Sequence, residues 1–282
     1  MSVAAEDILK TGSIAETMAA LTDQVRKNPA DARGRIFIFQ MYCVLGAWEK
    51  ALTQLKVCGE LDAGTLSMVQ TYREAIACEM MREKVFAGKK APLVFGQPEN
   101  WIALLIQALE PAARGDGAAA AALREKAFED APAIDGTLNG EPFAWVADAD
   151  SRLGPVCELI LNGKYYWAPF SNIKRIQIEE PTDLRDRVWT PANIMFATGG
   201  ESVAFIPTRY PGAGASDSDD VRLARLTDWQ DIGAETYLGA GQKLFATDGG
   251  DFGVMDIRAL DLNLPEPEEM PEDEAEAEVK DG

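Results

Sequence analysis

Residues 12–28 of the chain read GSIAETMAALTDQVRKN, and 34 positions later residues 46–62 read GAWEKALTQLKVCGELD. The two stretches superpose with matching residue types: Gly12 on Gly46, Met18 on Leu52, Leu21 on Leu55, and Asn28 on Asp62. A period of this length is typical of a helix pair that cannot bury its apolar face alone. The sequence therefore predicts helix pairs that stack into a curved array near the amino terminus.

The 34-residue period is that of tetratricopeptide repeats (TPR), whose arrays bind protein partners on a concave face. Alignment on the repeat glycine places six residues on this face: Arg33, Ile36, Gln40 and Cys43, followed on the next helix by Gln70 and Glu74. For Ile36 and Cys43, packing against a neighbouring helix is an equal alternative. We predict that these six residues form a partner-binding site for an amphipathic helix.

Helical spacing of apolar residues continues to about residue 130. The pattern predicts a helix pair over residues 3–27, broken at 11–13, and further helices over 36–45, 48–61, 66–86, 101–109 and 118–128. Residues 36–45 have the content of a buried strand, but their position before Gly46 in the repeat favours a helix. The predicted TPR-like domain spans residues 1–133.

The sequence pattern changes after residue 134, where turn pairs and alternating segments replace helical spacing. Gly199-Gly200 and Gly249-Gly250 each separate two apolar segments, which predicts two β-hairpins. We expect one helix, over residues 153–161, to interrupt the strands. The predicted fold class is α+β with two domains, in which a mostly antiparallel β domain with one or two helices spans residues 134–263.

Charge separates the last residues from the rest of the chain. The formal net charge is −19, and residues 266–282 alone contain nine acidic residues and one lysine. The tail over residues 264–282 has no aromatic residue and is predicted to be disordered and solvated. The strongly acidic composition disfavours nucleic-acid binding.

Histidine is absent from the 282 residues, which removes the commonest general base and the commonest metal ligand. The four cysteines, Cys43, Cys58, Cys78 and Cys157, show no C-x-x-C spacing, and the first three lie in helical apolar patterns. We interpret them as reduced core thiols. These features predict a non-enzymatic protein without metal or cofactor.

The amino terminus lacks the pattern of an export signal, because Glu6 and Asp7 precede any apolar stretch. The longest apolar run, residues 101–109, is too short to span a bilayer. We therefore expect a cytoplasmic protein with no membrane partner.

A rival hypothesis is a metal-dependent enzyme whose site lies between the two domains. Its candidate ligands are carboxylates: Asp148, Asp150, Glu179 and Asp183. Residues 148–152 begin like a calcium loop, but Arg152 replaces an oxygen ligand and Leu153 stands where a glycine must turn. Asp150 or Ser151 is instead expected to cap the following helix. A third hypothesis is a general TPR adaptor for an unrelated partner.

Several long blocks resemble the ImpE family, also called TagJ. In the first half these are residues 31–52, DARGRIFIFQMYCVLGAWEKAL, and residues 70–79, QTYREAIACE. In the second half they are GEPFAW at 140–145, DADSRLGP at 148–155, NGKYYWAPF at 162–170, PTDLRD at 181–186 and IPTRYP at 206–211. The resemblance covers residues 7 to 258.

The resemblance implies a non-enzymatic accessory protein of a bacterial type VI secretion system, a contractile injection machine. Family membership implies binding to a helix of the small contractile-sheath subunit (TssB-like). For some members it also implies contact with ClpV, the AAA+ unfoldase that recycles the sheath. Together with the repeat pattern, the resemblance places the sheath helix in the hollow of the helical array.

Overall fold

The structure is a computed structural model and describes Leu9 and residues 13–264. Within residues 13–264, six helices come first: α1 (Ile14–Lys27), α2 (Ala32–Val44), α3 (Trp48–Leu61), α4 (Leu66–Phe86), α5 (Asn100–Ala113) and α6 (Gly117–Asp130). Each matches a helix predicted from the sequence, including α2 with its strand-like content. The first helix of the predicted opening pair, and the acidic tail from residue 265, lie outside the described residues.

Polar side chains and glycines mark the helix ends. Ser13 and Glu16 form a capping box at the start of α1, and Asp31 accepts a hydrogen bond from the backbone N–H of Gly34 at the start of α2. The repeat glycine Gly46 has φ +63°, a left-handed conformation that ends α2 before the chain enters α3. Consecutive helices pack as pairs, with α2 on α3 and α5 on α6.

Two glycines that follow helices provide a matched test of backbone strain. Gly88 after α4 has φ +69° and Gly115 after α5 has φ +75°. A Cβ atom on Gly88 would lie 2.6 Å from the Cα of Glu110, whereas a Cβ on Gly115 would meet nothing within 4 Å. Alanine at either position has an unfavourable left-handed conformation, and only alanine at Gly88 also clashes with another backbone segment.

We therefore expect Gly115→Ala to lower the free energy of unfolding by about 1 kcal/mol. Gly88→Ala should cost about 1–3 kcal/mol more, because α5 must move to make room. Urea unfolding of both variants measures the difference. Equal destabilisation would mean that the close approach of α5 to Gly88 carries no energetic cost.

Fourteen strands follow or connect the helices: β1 (Leu93–Val94), β2 (Gly136–Leu138), β3 (Glu141–Phe143), β4 (Val146–Asp148), β5 (Val156–Leu161), β6 (Lys164–Pro169), β7 (Ile173–Ile178), β8 (Trp189–Phe196), β9 (Glu201–Pro207), β10 (Thr227–Asp231), β11 (Tyr237–Gly241), β12 (Leu244–Thr247), β13 (Gly250–Gly253) and β14 (Ala259–Leu262). Nine of them form one sheet in the order β1-β6-β5-β9-β8-β7-β14-β2-β3. Within this sheet β1 pairs parallel to β6, and the other paired strands are antiparallel. A three-stranded sheet and a two-stranded ribbon, β10-β11, complete the strand-rich part.

The α+β class and both predicted hairpins are confirmed. β8 and β9 flank Gly199-Gly200, and β12 and β13 pair around the second glycine turn. Short helices interrupt the strands, among them a 3₁₀ helix at Leu184–Arg187 and a helix, α7, at Asp219–Arg222.

The helix predicted over residues 153–161 is wrong, because residues 156–161 form β5. All six residues of β5 are buried, since the strand lies inside the sheet between β6 and β9. A strand covered on both faces has a continuous apolar run, and such a run cannot be distinguished from a buried helix by its period. The predicted capping role of Asp150 or Ser151 is wrong for the same reason.

One of the two hydrophobic clusters among the described residues joins the helices to the sheet, and the second lies within the strand-rich part. Trp189 of β8 is fully buried, and its ring lies 6.0 Å from that of Trp48 and 5.6 Å from that of Tyr72. Tyr72 also stacks on Phe205 of β9. The strands therefore pack against α4 and the start of α3, and the division at residue 133 stays a prediction.

All four cysteines are buried and free. Burial raises the pKa of the Cys78 thiol to about 12, so this group is protonated at neutral pH. Over the part of the chain that the structure describes, no helix has the length and apolar character needed to cross a bilayer.

Candidate partner-binding cleft

A cleft of about 550 Å³ lies between α2 and the loop that leads into the 3₁₀ helix Leu184–Arg187. Half of its lining is apolar: Leu9, Ile36, Phe37, Pro181, Leu184 and Leu223. The polar half contains Arg33, Gln40, Thr182, Asp183, Arg187 and Arg225. The cleft thus combines an apolar floor with three arginines, in a chain whose net charge is −19.

Helical spacing explains why one face of α2 supplies four of the lining residues. Positions 33, 36, 37 and 40 fall on the same side of a helix with 3.6 residues per turn. The facing loop is held by its own capping box, in which Asp183 and Asp186 bond each other's backbone N–H groups. Both walls of the cleft are therefore fixed by local backbone structure.

Asp183 connects the two walls. Gln40 Nε2 on α2 donates to Asp183 Oδ1 at 3.1 Å, and Arg185 binds both oxygens of the same carboxylate at 2.7 Å. Burial alone would raise the pKa of Asp183, but the hydrogen bonds from Arg185 and Gln40 hold it below its usual value. The carboxylate in the cleft is therefore ionised and already neutralised by Arg185.

The cleft arginines retain a positive charge next to one another. Burial lowers the pKa of Arg187, and the nearby charge of Arg225 lowers it further. Within residues 13–264, neither Arg33 nor Arg187 lies within 4.0 Å of a carboxylate oxygen. Arg225 lies 3.5 Å from Asp220, in a pair that is largely exposed and therefore weak.

The structure separates the six residues predicted to bind a partner. Arg33, Ile36 and Gln40 meet in the cleft. Cys43 is fully buried. Gln70 and Glu74 are bonded to each other on α4, away from the cleft lining, where Glu74 lies beside Gly163. A binding role for these residues stays a prediction.

Sequence reasoning missed the second wall of the cleft. Leu184, Arg187, Leu223 and Arg225 come from loops whose positions depend on the sheet. The only signal in the sequence was the PTDLRD block, where charged residues flank a leucine. Nothing in that block indicates that it faces α2, more than 140 positions earlier in the chain.

The four carboxylates of the rival metal-site hypothesis do not form a ligand set. Asp148 pairs with Lys243, Asp150 with Arg152, and Asp183 with Arg185, whereas Glu179 is exposed. Across Leu9 and residues 13–264, no group of three or more acidic or cysteine side chains is arranged to hold a metal ion.

One of these carboxylates, Asp148, belongs instead through Lys243 to a buried ionic network between α4 and the sheet. Glu158 of β5 accepts hydrogen bonds from Arg82 Nε at 2.6 Å and from Lys243 Nζ at 2.8 Å, and all three side chains are almost fully buried. Burial would raise the pKa of Glu158, but Arg82 and Lys243 hold it well below its usual range. The network ties helix to sheet with every charge compensated.

Comparison with known proteins identifies relatives of the whole described fold. The ImpE protein family matches residues 140–261. The type VI secretion system accessory component TagJ of Pseudomonas aeruginosa is 50% identical over 262 residues, which cover 93% of this chain and 92% of TagJ. The crystal structure of protein VPA1032 from Vibrio parahaemolyticus superposes with a TM-score of 0.85 at 25% identity, covering 93% of this chain and 98% of VPA1032.

Stacked helix pairs that share a core with a large antiparallel sheet define a class of two-part α+β proteins, to which VPA1032 also belongs by its fold. An identity of 50% to TagJ over 93% of the chain is sufficient to assign the chain to a family. The chain belongs to the ImpE family, the family of TagJ.

Proposed function

We propose that the protein is a non-enzymatic, cytoplasmic accessory protein of a bacterial type VI secretion system that binds a helix of the small contractile-sheath subunit. The observation that carries the proposal is the 50% identity, over 93% of the chain, to a protein named as an accessory component of that system. The cleft supports it, because an apolar floor with a polar rim is the surface that an amphipathic helix needs. A link from the sheath subunit to the ClpV unfoldase is a second part of the proposal.

Affinity capture of the tagged protein from its own host, followed by mass spectrometry, tests the function. We expect the small sheath subunit to be enriched over a capture with an unrelated tagged protein. Enrichment of ClpV in the same fraction would support the proposed link. Reproducible capture of a partner from outside the secretion system, without the sheath subunit, would favour a general adaptor instead.

Gln40 and Gln70 distinguish the cleft from the outer surface of α4. Gln40→Glu places a second carboxylate about 3 Å from Asp183 and removes the donor that joins the two walls. We expect at least about tenfold weaker binding of the purified sheath subunit, measured by pull-down or calorimetry, with the far-UV circular dichroism unchanged.

Gln70→Glu is the matched control, since the same substitution lies away from the cleft lining. If the cleft alone binds the sheath helix, Gln70→Glu should bind like the wild type. Loss of binding in Gln70→Glu together with normal binding in Gln40→Glu would show that the sheath helix binds on α4 and not in the cleft.

A further inference from the structure

The chemistry of the cleft indicates what kind of segment it accepts. Three arginines surround its floor, and the one lining carboxylate, Asp183, is neutralised by Arg185. Two further acids lie near the lining: Asp31 caps α2, and Asp186 accepts backbone N–H bonds from Thr182 and Asp183. Among the side chains that line the cleft itself, three arginines stand against one carboxylate, so the lining has an excess of positive charge although the chain as a whole is strongly negative.

The floor of the cleft accepts aliphatic groups. Leu9 is buried there, with Arg225 Nη2 donating to its backbone carbonyl at 3.3 Å. A volume of about 550 Å³ is within the range of sites that enclose a few side chains rather than a whole domain. An occupant must therefore present a short apolar stripe to the floor.

We infer that the cleft binds a short partner segment in which glutamates or aspartates flank an apolar helical stripe, with Arg33, Arg187 and Arg225 pairing with those acids. The inference rests on the proposed function, because it takes the sheath subunit as the partner. It goes further by specifying that the bound segment is acidic. Complementary charge selects this segment against basic helices of equal hydrophobicity and makes binding salt-dependent. The strongly acidic character of the rest of the chain repels acidic segments elsewhere, so binding is confined to the cleft.

A peptide pair tests the inference without the sheath subunit. The probe is a fluorescein-labelled helical peptide of about 18 residues, with leucines at i, i+3, i+4 and i+7 and glutamates beside them. Its twin has lysine in place of every glutamate. Fluorescence anisotropy should show at least about tenfold tighter binding of the glutamate peptide, and weaker binding as salt rises from about 0.05 M to about 0.5 M.

Three variants locate the binding. Arg33→Glu, at an exposed position, and Arg187→Gln, which removes the charge and keeps a polar side chain, should each weaken binding of the glutamate peptide about tenfold or more. Arg114→Glu is the control, because Arg114 is exposed just after the end of α5 and pairs with Glu110 away from the cleft lining. The control should bind like the wild type.

The same variants measured with the purified sheath subunit separate the two proposals. If the sheath subunit binds but neither salt nor Arg33→Glu affects it, the inference fails and the proposed function stands. If the peptide pair behaves as expected and the sheath subunit does not bind, the proposed function fails and the charge preference of the cleft stands. Equal binding of both peptides overturns the inference.

Discussion

Lys243→Met is expected to lower the free energy of unfolding by about 3–5 kcal/mol. The Lys243 side chain is fully buried and pairs with both Asp148 and Glu158. Glu158 keeps Arg82 as a partner in the variant, but Asp148 loses its cation. Burial already raises the pKa of Asp148 to about 6 with Lys243 beside it, so the variant must protonate this carboxyl or bury an uncompensated charge.

Thermal unfolding followed by circular dichroism should show a midpoint lowered by about 10 °C. Lys27→Met is the matched control, since Lys27 pairs with Asp23 at 2.7 Å on the exposed surface of α1 and its side chain is 76% exposed. The control should unfold like the wild type, because exposed ion pairs contribute little.

A double variant tests the physical reason for the loss. Adding Asp148→Asn to Lys243→Met removes the orphaned charge and keeps an oxygen that can accept from the Tyr210 hydroxyl. The double variant should therefore be more stable than Lys243→Met alone. If the second substitution only adds to the loss, the cost comes from packing and not from an unpaired carboxylate.

Trp189→Ala should cost about 3–5 kcal/mol and act on helices and strands together. The substitution empties the space beside the rings of Trp48 and Tyr72. It also removes the hydrogen bond that the indole Nε1 donates to Glu79 Oε1 at 3.1 Å. Because helices and sheet share this core, unfolding of the wild type and of the variant should follow a single transition.

Circular dichroism at a helix-sensitive wavelength and tyrosine absorbance provide two independent probes of that transition. Trp145→Ala is the control at a tryptophan that is 40% exposed, and it should change stability much less. If the two probes separate along the denaturant axis, the helical part and the sheet unfold independently, and the predicted boundary at residue 133 divides two autonomous domains.

Local pattern was sufficient for the helices and the hairpins. The 34-residue period, the helical spacing of apolar residues and the glycine turns are features of short stretches of chain, and each predicted an element that the structure contains. The pattern failed at β5, where burial on both faces removes the alternation that distinguishes a strand.

One wall of the candidate site could be predicted in the same way. Arg33, Ile36 and Gln40 share a helical face by spacing alone, and that face lines the cleft. The partner wall could not be predicted, because Gln40 and Asp183 are 143 positions apart and no local rule brings them together. The ionic network was equally hidden, since Arg82 and Glu158 meet across 76 positions.

The sequence by itself determined the stacked helix pairs, where they end, and the existence of an antiparallel sheet after them. Only the tertiary structure decided that the sheet packs against α4, and that a cleft lined by apolar residues and arginines remains between α2 and residues 181–187. The physical reason is range: periodicity, capping and turns are energies of neighbouring residues, whereas the packing of Tyr72 on Phe205 and the hydrogen bond from Gln40 to Asp183 across the cleft join residues from distant parts of the chain.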